Sequence, residues 1–427
     1  MSTLRNAYTR LFCSLMVAGT LGTATPASAD AVTDWSALII QFTNMAGRPA
    51  PTFMLDTAMA HIAIHDAVQA YQHRYKTYNA PIPGASGSMA AAVAKAAHDV
   101  LVSRFQVPVP NPGLIAQVDS AYENFLKANG LLPTDPGVLV GEKAAMNIIV
   151  RRSTDGSFPA NPEVFTGGTG PGEWRPTPPG FAPMAAPWMG TVTPFVLKDT
   201  DELLNEPDPP NLTSGLYVRD FNEVKLMGRR TGSGRTPTQT TFALFFSGNF
   251  LTILGNAVRT AALTHLTDIG DRARLFALAH VAGADSGIVV WDNKRTYNFW
   301  RPSTAILNAA GDGNPRTEPD PAWLPLINDP PYPDYTSGAN GLTGAMTRVL
   351  EKVLGDEVPS FNLTTTATEG GLPIAPRAYT RFSAIADDVV EARILLGIHF
   401  RFADAVAWRQ GKQSADRAFA HAFQPLD

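Results

Sequence analysis

A single cysteine, Cys13, stands among 427 residues, so no disulfide framework and no cluster of thiolate ligands can organise this chain. Charge is scarce as well. Lys and Arg number 34 against 38 Asp and Glu, 17% of the chain together, for a formal net charge of −4. Without a long basic run, the general electrostatic argument for a nucleic-acid partner falls away. Mean hydropathy is −0.05, and beyond the N-terminus no stretch reads as the roughly 20 apolar residues that a membrane-crossing helix needs. No transmembrane segment is expected. Sustained apolar-polar alternation, internal repeats and low-complexity tracts are also missing, which argues against sheets and solenoids.

The hydrophobic fraction, 44%, is near the globular norm. The first residues read as a processing segment: Arg5 and Arg10 give a positive start, Leu11 to Leu21 an apolar stretch, and Ala27-Ser28-Ala29 a small-residue cleavage site. Residues 1–29 are therefore expected to be a signal peptide, with a mature start at Asp30 and a secreted or periplasmic destination. Cys13 leaves with that segment. Residues 30–427 are expected to form a single domain.

Apolar side chains at helical spacing, with several alanines, mark 53–75, 89–105 and 115–129, and residues 139–152 read as a further helix. Pro108, Pro110 and Pro133 break the pattern. A long region at about 153–213, rich in Pro, Gly and Trp, suits a functional lid or wall better than a linker. Helices are expected again near 215–228, 236–246, 251–268, 270–292, 338–352, 377–398 and 401–420. The fold class is all-α, a helical bundle with elaborate loops.

Three segments carry chemistry. In the first, 291–302, Lys294 and Arg301 stand seven apart, and on a helix both would share one side, two turns apart. A point charge and a rigid donor fork together suit a tetrahedral oxyanion. In the second, 330–341, prolines precede Thr336-Ser337-Gly338, and the small residues open a helix whose free N–H groups could meet an anion; equally, Thr336 or Ser337 could simply cap it. In the third, 393–404, Arg393 and His399 flank Gly397. His399 could be a packing residue, a nucleophile toward phosphorus or a nitrogen ligand to a metal oxyanion, its far ring nitrogen held by Asp404 or a backbone carbonyl.

Together these segments resemble the vanadium-dependent haloperoxidase and type 2 phosphatidic acid phosphatase superfamily, whose pattern runs Lys-x6-Arg-Pro, Pro-Ser-Gly-His and Ser-Arg-x5-His. Asn298-Phe299-Trp300-Arg301-Pro302 and Gly397-Ile398-His399-Phe400-Arg401-Phe402 look most like the soluble haloperoxidase branch. The likeness is strongest over about 285–410. It implies that Lys294, Arg301 and Arg393 clamp vanadate, or phosphate in the same place, that Ser337 and the Gly338 N–H donate to it, and that His399 bonds to vanadium or attacks phosphorus. Trp291 and Tyr332 match positions near the halide side of the pocket.

The chain departs from that pattern where proton transfer is concerned. Ala339 stands where the family has its acid-base histidine, Thr336 replaces a proline, Ala392 a serine, and Ala403 takes the slot four after His399 where an acid is usual, with Asp404 one further on. A positioned acid contributes roughly 100-fold to 10,000-fold. Its loss injures a phosphomonoesterase most and makes demanding halides such as chloride hard to oxidise. A water or a carboxylate, Asp334 for instance, would have to substitute. Three functions stay open: a vanadate-dependent peroxidase using hydrogen peroxide on a halide or small organic substrate, a phosphatase acting on phosphate esters, and a catalytically weak oxyanion-binding protein.

His61 and His65, four apart beside Asp66, with His73 two turns on, have ligand-like spacing but apolar neighbours. Trp174, Phe181, Met184, Trp188 and Met189 could form a pocket wall, a dimer surface or a peripheral membrane contact. A homodimer is compatible with such a bundle.

Overall fold

The computed structural model describes residues 30–49, 51–203 and 206–426; the expected signal peptide and Cys13 lie outside the described residues. The described chain opens at Asp30, whose carboxylate accepts from the Thr33 N–H while the Thr33 hydroxyl returns a bond, a capping box that starts α1 (Ala31–Met45). Next come α2 (Thr52–Gln72), α3 (Met89–Arg104), α4 (Pro112–Ala128) and α5 (Pro136–Arg152). In α4 and α5 a proline occupies the first turn and an Asn or Asp caps the end, the arrangement in which proline's missing N–H costs nothing.

The second half holds α6 (Gly215–Met227), α7 (Pro237–Phe245), α8 (Phe250–His265), α9 (Ile269–Tyr297), α10 (Pro302–Asn308), α11 (Gly338–Leu354), α12 (Phe382–Leu396) and α13 (Arg401–His421). Two small antiparallel pairs separate α11 from α12: β1 (Glu357–Leu363) with β4 (Arg377–Arg381), and β2 (Thr368–Glu369) with β3 (Leu372–Pro373). The helix expected from 377 therefore begins at Phe382, because 377–381 pair with β1. α1 and α10 had no counterpart in the sequence reading.

α9 is a longer apolar stretch than the sequence pattern suggested. By length and composition it could cross a membrane, yet 94% of that apolar stretch is buried inside the molecule. It is the central strut, packed by α2 on one side and by α11 and α13 on the other. One continuous core runs from Trp35, Leu55 and Ile62 through Phe276, Val281 and Ile288 to Met346, Val349 and Val389. Each such side chain contributes about 1.5–3 kcal/mol on burial.

Among the described residues of 153–213 there is no α-helix, and the region folds down onto α9. The Asp285 carboxylate accepts from the N–H groups of Phe195, Val196 and Leu197 at 2.5, 2.8 and 3.0 Å, and burial pushes this carboxyl up to about 6. Trp174, Met184 and Met189 are buried, Trp188 is half-buried and Phe181 is exposed. Most of these side chains are thus packed inward rather than presented as an apolar outer face.

Candidate active site

Lys294 sits in the last turn of α9, but α9 ends at Tyr297 and Asn298 turns the chain with φ 45°. Lys294 and Arg301 therefore do not share a helix, as their spacing suggested. The turn sends the chain to Arg301, the residue before α10, and the two cations converge across it. Both are completely buried. The Lys294 ammonium donates to the carbonyls of Pro333 and Asp334 at 2.7 and 3.0 Å. Arg301 donates to those of Tyr332 and Ile398 at 2.8 and 2.7 Å.

Arg393 lies in the last turn of α12 and makes one protein hydrogen bond, to the Phe246 carbonyl at 3.3 Å. α12 stops at Gly397, with φ 81° and no room for a Cβ, since one would meet the Gly228 carbonyl oxygen at 2.4 Å. That stop swings Ile398-His399-Phe400 across the end of the bundle. His399 Nδ1 lies 2.6 Å from Asp334 Oδ1, and Arg301 Nη1 lies 3.2 Å from Nε2. Asp334, not Asp404 or a carbonyl, thus holds the far ring nitrogen.

Ser337 is the N-cap residue of α11, but its side chain makes no capping bond. Its Oγ instead takes a bond from Asn340 Nδ2 at 3.2 Å, and the same amide reaches Asp404 Oδ1 at 2.7 Å. Asp404 also interacts with the Ser337 hydroxyl and with the charges of Asp334 and Arg393. Three cations thus share a buried cluster with two carboxyls, for a formal excess of one positive charge. Burial, reinforced by Arg301, pushes the Lys294 ammonium far below the usual lysine range. Burial and the three cations also push the His399 imidazolium far down, so the ring is neutral. Burial raises Asp334 to about 7 and Asp404 well above the carboxylate range.

Above the cluster opens a cavity of about 290 Å³, whose wall includes Trp291, Tyr332, Gly338, Ala339, Phe250 and Arg393. The Trp291 and Tyr332 rings meet at 5.0 Å, and the Lys294 and Arg301 cations each lie 4.9 Å from the Tyr332 ring. The donor set fits a tetrahedral oxyanion. Among the described residues Arg301 Nη2 and Arg393 Nε are buried without a hydrogen-bond partner, and the two carbonyls leave one Lys294 N–H without one. Such orphaned cationic donors are costly unless an anion meets them. At Gly338 a Cβ would stand 3.2 Å from the Trp291 ring, so glycine keeps the backbone close to that wall.

His61, His65 and His73 do not meet around an ion. His61 bonds the Thr57 carbonyl and Ser36 and stacks on His280 at 4.0 Å, while Asp66 holds the N–H groups of Tyr78 and Asn79. His73 ends α2. Among the described residues, no group of three or more His, Cys, Asp or Glu could hold a metal ion.

Comparisons with known proteins bear on the fold. The bundle has the fold of the vanadium haloperoxidases and acid phosphatases, and residues 274–427 match the family model described as the second helical-bundle domain of the vanadium chloroperoxidases. Segments 291–302, 330–341 and 393–404 fall within that match. The chain is 26% identical over 387 aligned positions to the vanadium chloroperoxidase of Curvularia inaequalis, covering 71% of this chain and 61% of that protein; it thus spans less than two thirds of the relative's length. In structure it resembles a bacterial vanadium-dependent iodoperoxidase (TM-score 0.78, 23% identity, 94% of this chain and 100% of that one). It also resembles the holo form of a bacterial vanadium-dependent chloroperoxidase (TM-score 0.68, 17% identity, 87% and 91%). These matches show that the chain has the fold of the vanadium-dependent haloperoxidases.

Sequence reasoning mentioned Asp334 only as a stand-in carboxylate and did not foresee Asn340 as the link between Ser337 and Asp404. Neither role has a local signal. Each depends on where the 330–341 loop crosses the start of α13.

Proposed function

We propose that this protein is a vanadate-dependent peroxidase that uses hydrogen peroxide to oxidise a halide or a small organic substrate. The observation that carries this reading is the buried convergence of Lys294, Arg301, Arg393 and a neutral His399 beneath an apolar cavity, with cationic donors left unpaired. Lys294, Arg301, Arg393, the Ser337 hydroxyl and the Gly338 N–H would hold the vanadate oxygens, and His399 Nε2 would bind the vanadium. When bound, vanadate supplies Lewis-acid activation of peroxide toward a halide or sulfur nucleophile.

The protein's own contribution is electrostatic and steric. The three cations neutralise an anion in a site without bulk water, where their charge is worth more than in solution. Trp291, Tyr332 and Phe250 give the reacting partner an apolar wall. The Asp404 carboxyl, kept protonated by burial, can hold a proton beside Ser337. The substitution of the family's acid-base histidine by Ala339 belongs to this proposal. It predicts a weakened enzyme that favours iodide, bromide or an organic sulfide over chloride.

A phosphatase with His399 as nucleophile would use the same cradle, since phosphate needs nearly the same donors. Residue 339 offers it no acid for an alkoxide leaving group. An oxyanion-binding protein without turnover is the third outcome. The deciding experiment loads the purified protein with vanadate and follows peroxide-dependent oxidation of iodide and bromide, beside hydrolysis of an aryl phosphate. Halide oxidation lost in His399→Ala supports the proposal; vanadate-inhibited hydrolysis without oxidation replaces it with the phosphatase, and tight binding without either leaves the binding protein.

We also propose that cleavage after Ala29 yields a secreted or periplasmic chain. Its support is the cleavage-site pattern together with Asp30, which caps α1 and pairs with Arg272 at 2.8 Å. A mature N-terminus elsewhere, read by mass spectrometry, would refute it.

A further inference from the structure

The tautomer of His399 can be read from the group that faces Nδ1. At Nδ1 stands Asp334 Oδ1, 2.6 Å away, and both side chains are buried. Arg301 Nη1 lies against the ring, 3.2 Å from Nε2 and 3.4 Å from Nδ1, and so does not distinguish the two nitrogens. A carboxylate oxygen accepts, so the ring proton lies on Nδ1 facing Asp334, and Nε2 keeps its lone pair. Asp334 is itself fixed by the backbone: its N–H donates to the Phe299 carbonyl at 2.9 Å and its carbonyl accepts from Lys294. The Phe400 N–H also lies against its carboxyl.

We propose that Asp334 is the positioning residue of this site: it holds His399 as the Nδ1–H tautomer with an Nε2 lone pair, and thereby makes the cradle prefer vanadate to phosphate. This rests on the vanadate reading above. The physical reason is a division of labour. Both anions need the three cations, but only vanadate gains a dative bond from Nε2, formed without any leaving group. A carboxylate on the far nitrogen makes that lone pair a better donor. The same negative charge lies 3.7 Å from Arg301 and so opposes any anion held by charge alone. Asp334 thus weakens simple oxyanion binding while strengthening the bond that discriminates.

The opposing signs supply the test. Affinities for vanadate and for inorganic phosphate are measured by titration calorimetry on the whole protein, Asp334→Asn, Asp334→Ala and His399→Ala. Removing the carboxylate is expected to weaken vanadate binding by about 10-fold to 100-fold, as second-shell losses do, while phosphate binds as well as before or better. The vanadate-to-phosphate ratio should fall to that of His399→Ala. A parallel loss of both anions, or an unchanged ratio, overturns the inference. Nitrogen-15 spectra of the anion-free wild-type protein give an arm that needs no variant to fold. A protonated Nδ1 and bare Nε2 on His399 are expected, and a proton on Nε2 overturns Asp334's role whatever the affinities. If wild type and His399→Ala show the same ratio while the spectrum shows Nδ1–H, the vanadate reading fails and the tautomer assignment survives.

Discussion

Arg393 and Arg301 carry the same charge into the same cradle but differ in what else they hold. Arg301 ties the carbonyls of Tyr332 and Ile398 together, whereas Arg393 makes a single long bond to Phe246. Arg393→Ala should therefore weaken phosphate binding by about 10-fold to 100-fold, the value of a charged hydrogen bond, with little change in the urea midpoint. Arg301→Ala should lower both. Equal losses of stability in the two variants would contradict this assignment. Ala339 lines the cavity next to Gly338, so Ala339→His should raise peroxide-dependent bromide oxidation by about 10-fold or more if proton transfer limits the rate. An unchanged rate would place the limit elsewhere. Lys294, Arg301, Arg393 and His399 were legible in the sequence through the likeness of their three segments to the haloperoxidase motifs. The partner of His399 was not, since Asp334 is remote in sequence and reaches the ring only because its loop passes behind it.

At the scale of elements, α11 and α13 decide whether those side chains meet. They pack through glycines: a Cβ at Gly411 would meet the Gly341 carbonyl oxygen at 2.1 Å, and one at Gly344 the Trp408 carbonyl oxygen at 2.4 Å. Backbone cannot retreat as a flexible side chain can, so Gly411→Ala should cost about 1–3 kcal/mol and separate Ser337 from Asp404. The check is a denaturation curve beside phosphate titration, and an unperturbed Gly411→Ala protein would refute the close-approach argument. Most helices were legible because their apolar spacing is regular and proline marks their ends. α1 and α10 were overlooked although Asp30 and Pro302 flag their starts, and β4 was absorbed into α12 because five residues carry too little alternation to read as a strand.

For the whole molecule, buried carboxyls make stability depend on pH in an unusual direction. Asp285 sits near 6 when folded, above its ordinary 3.8, so the folded state binds the extra proton between those values. Its contribution is fully present below pH 3.8 and is lost as pH rises through 6, a change on the order of 2–3 kcal/mol. Asp285→Asn should flatten the fall in stability between pH 4.5 and 7 measured by urea denaturation; an identical slope would exclude Asp285 as its source. Anion binding acts the other way. Phosphate or vanadate at 100 times its dissociation constant should stabilise the fold by about 2.7 kcal/mol, visible as a raised melting temperature that Arg393→Ala diminishes.

Helical class and the N-terminal processing pattern followed from composition, apolar periodicity and local motifs, and the choice of Lys294, Arg301, Arg393 and His399 from the likeness of three short segments to a known family, because those properties reside in neighbouring residues. The burial of α9, the break that separates Lys294 from Arg301, the pairing of Asp334 with His399 and the Ser337–Asn340–Asp404 chain were decided only by tertiary structure. Each joins groups from different elements, and a contact of a few ångströms between them depends on packing angles and loop paths that no local stretch of sequence encodes.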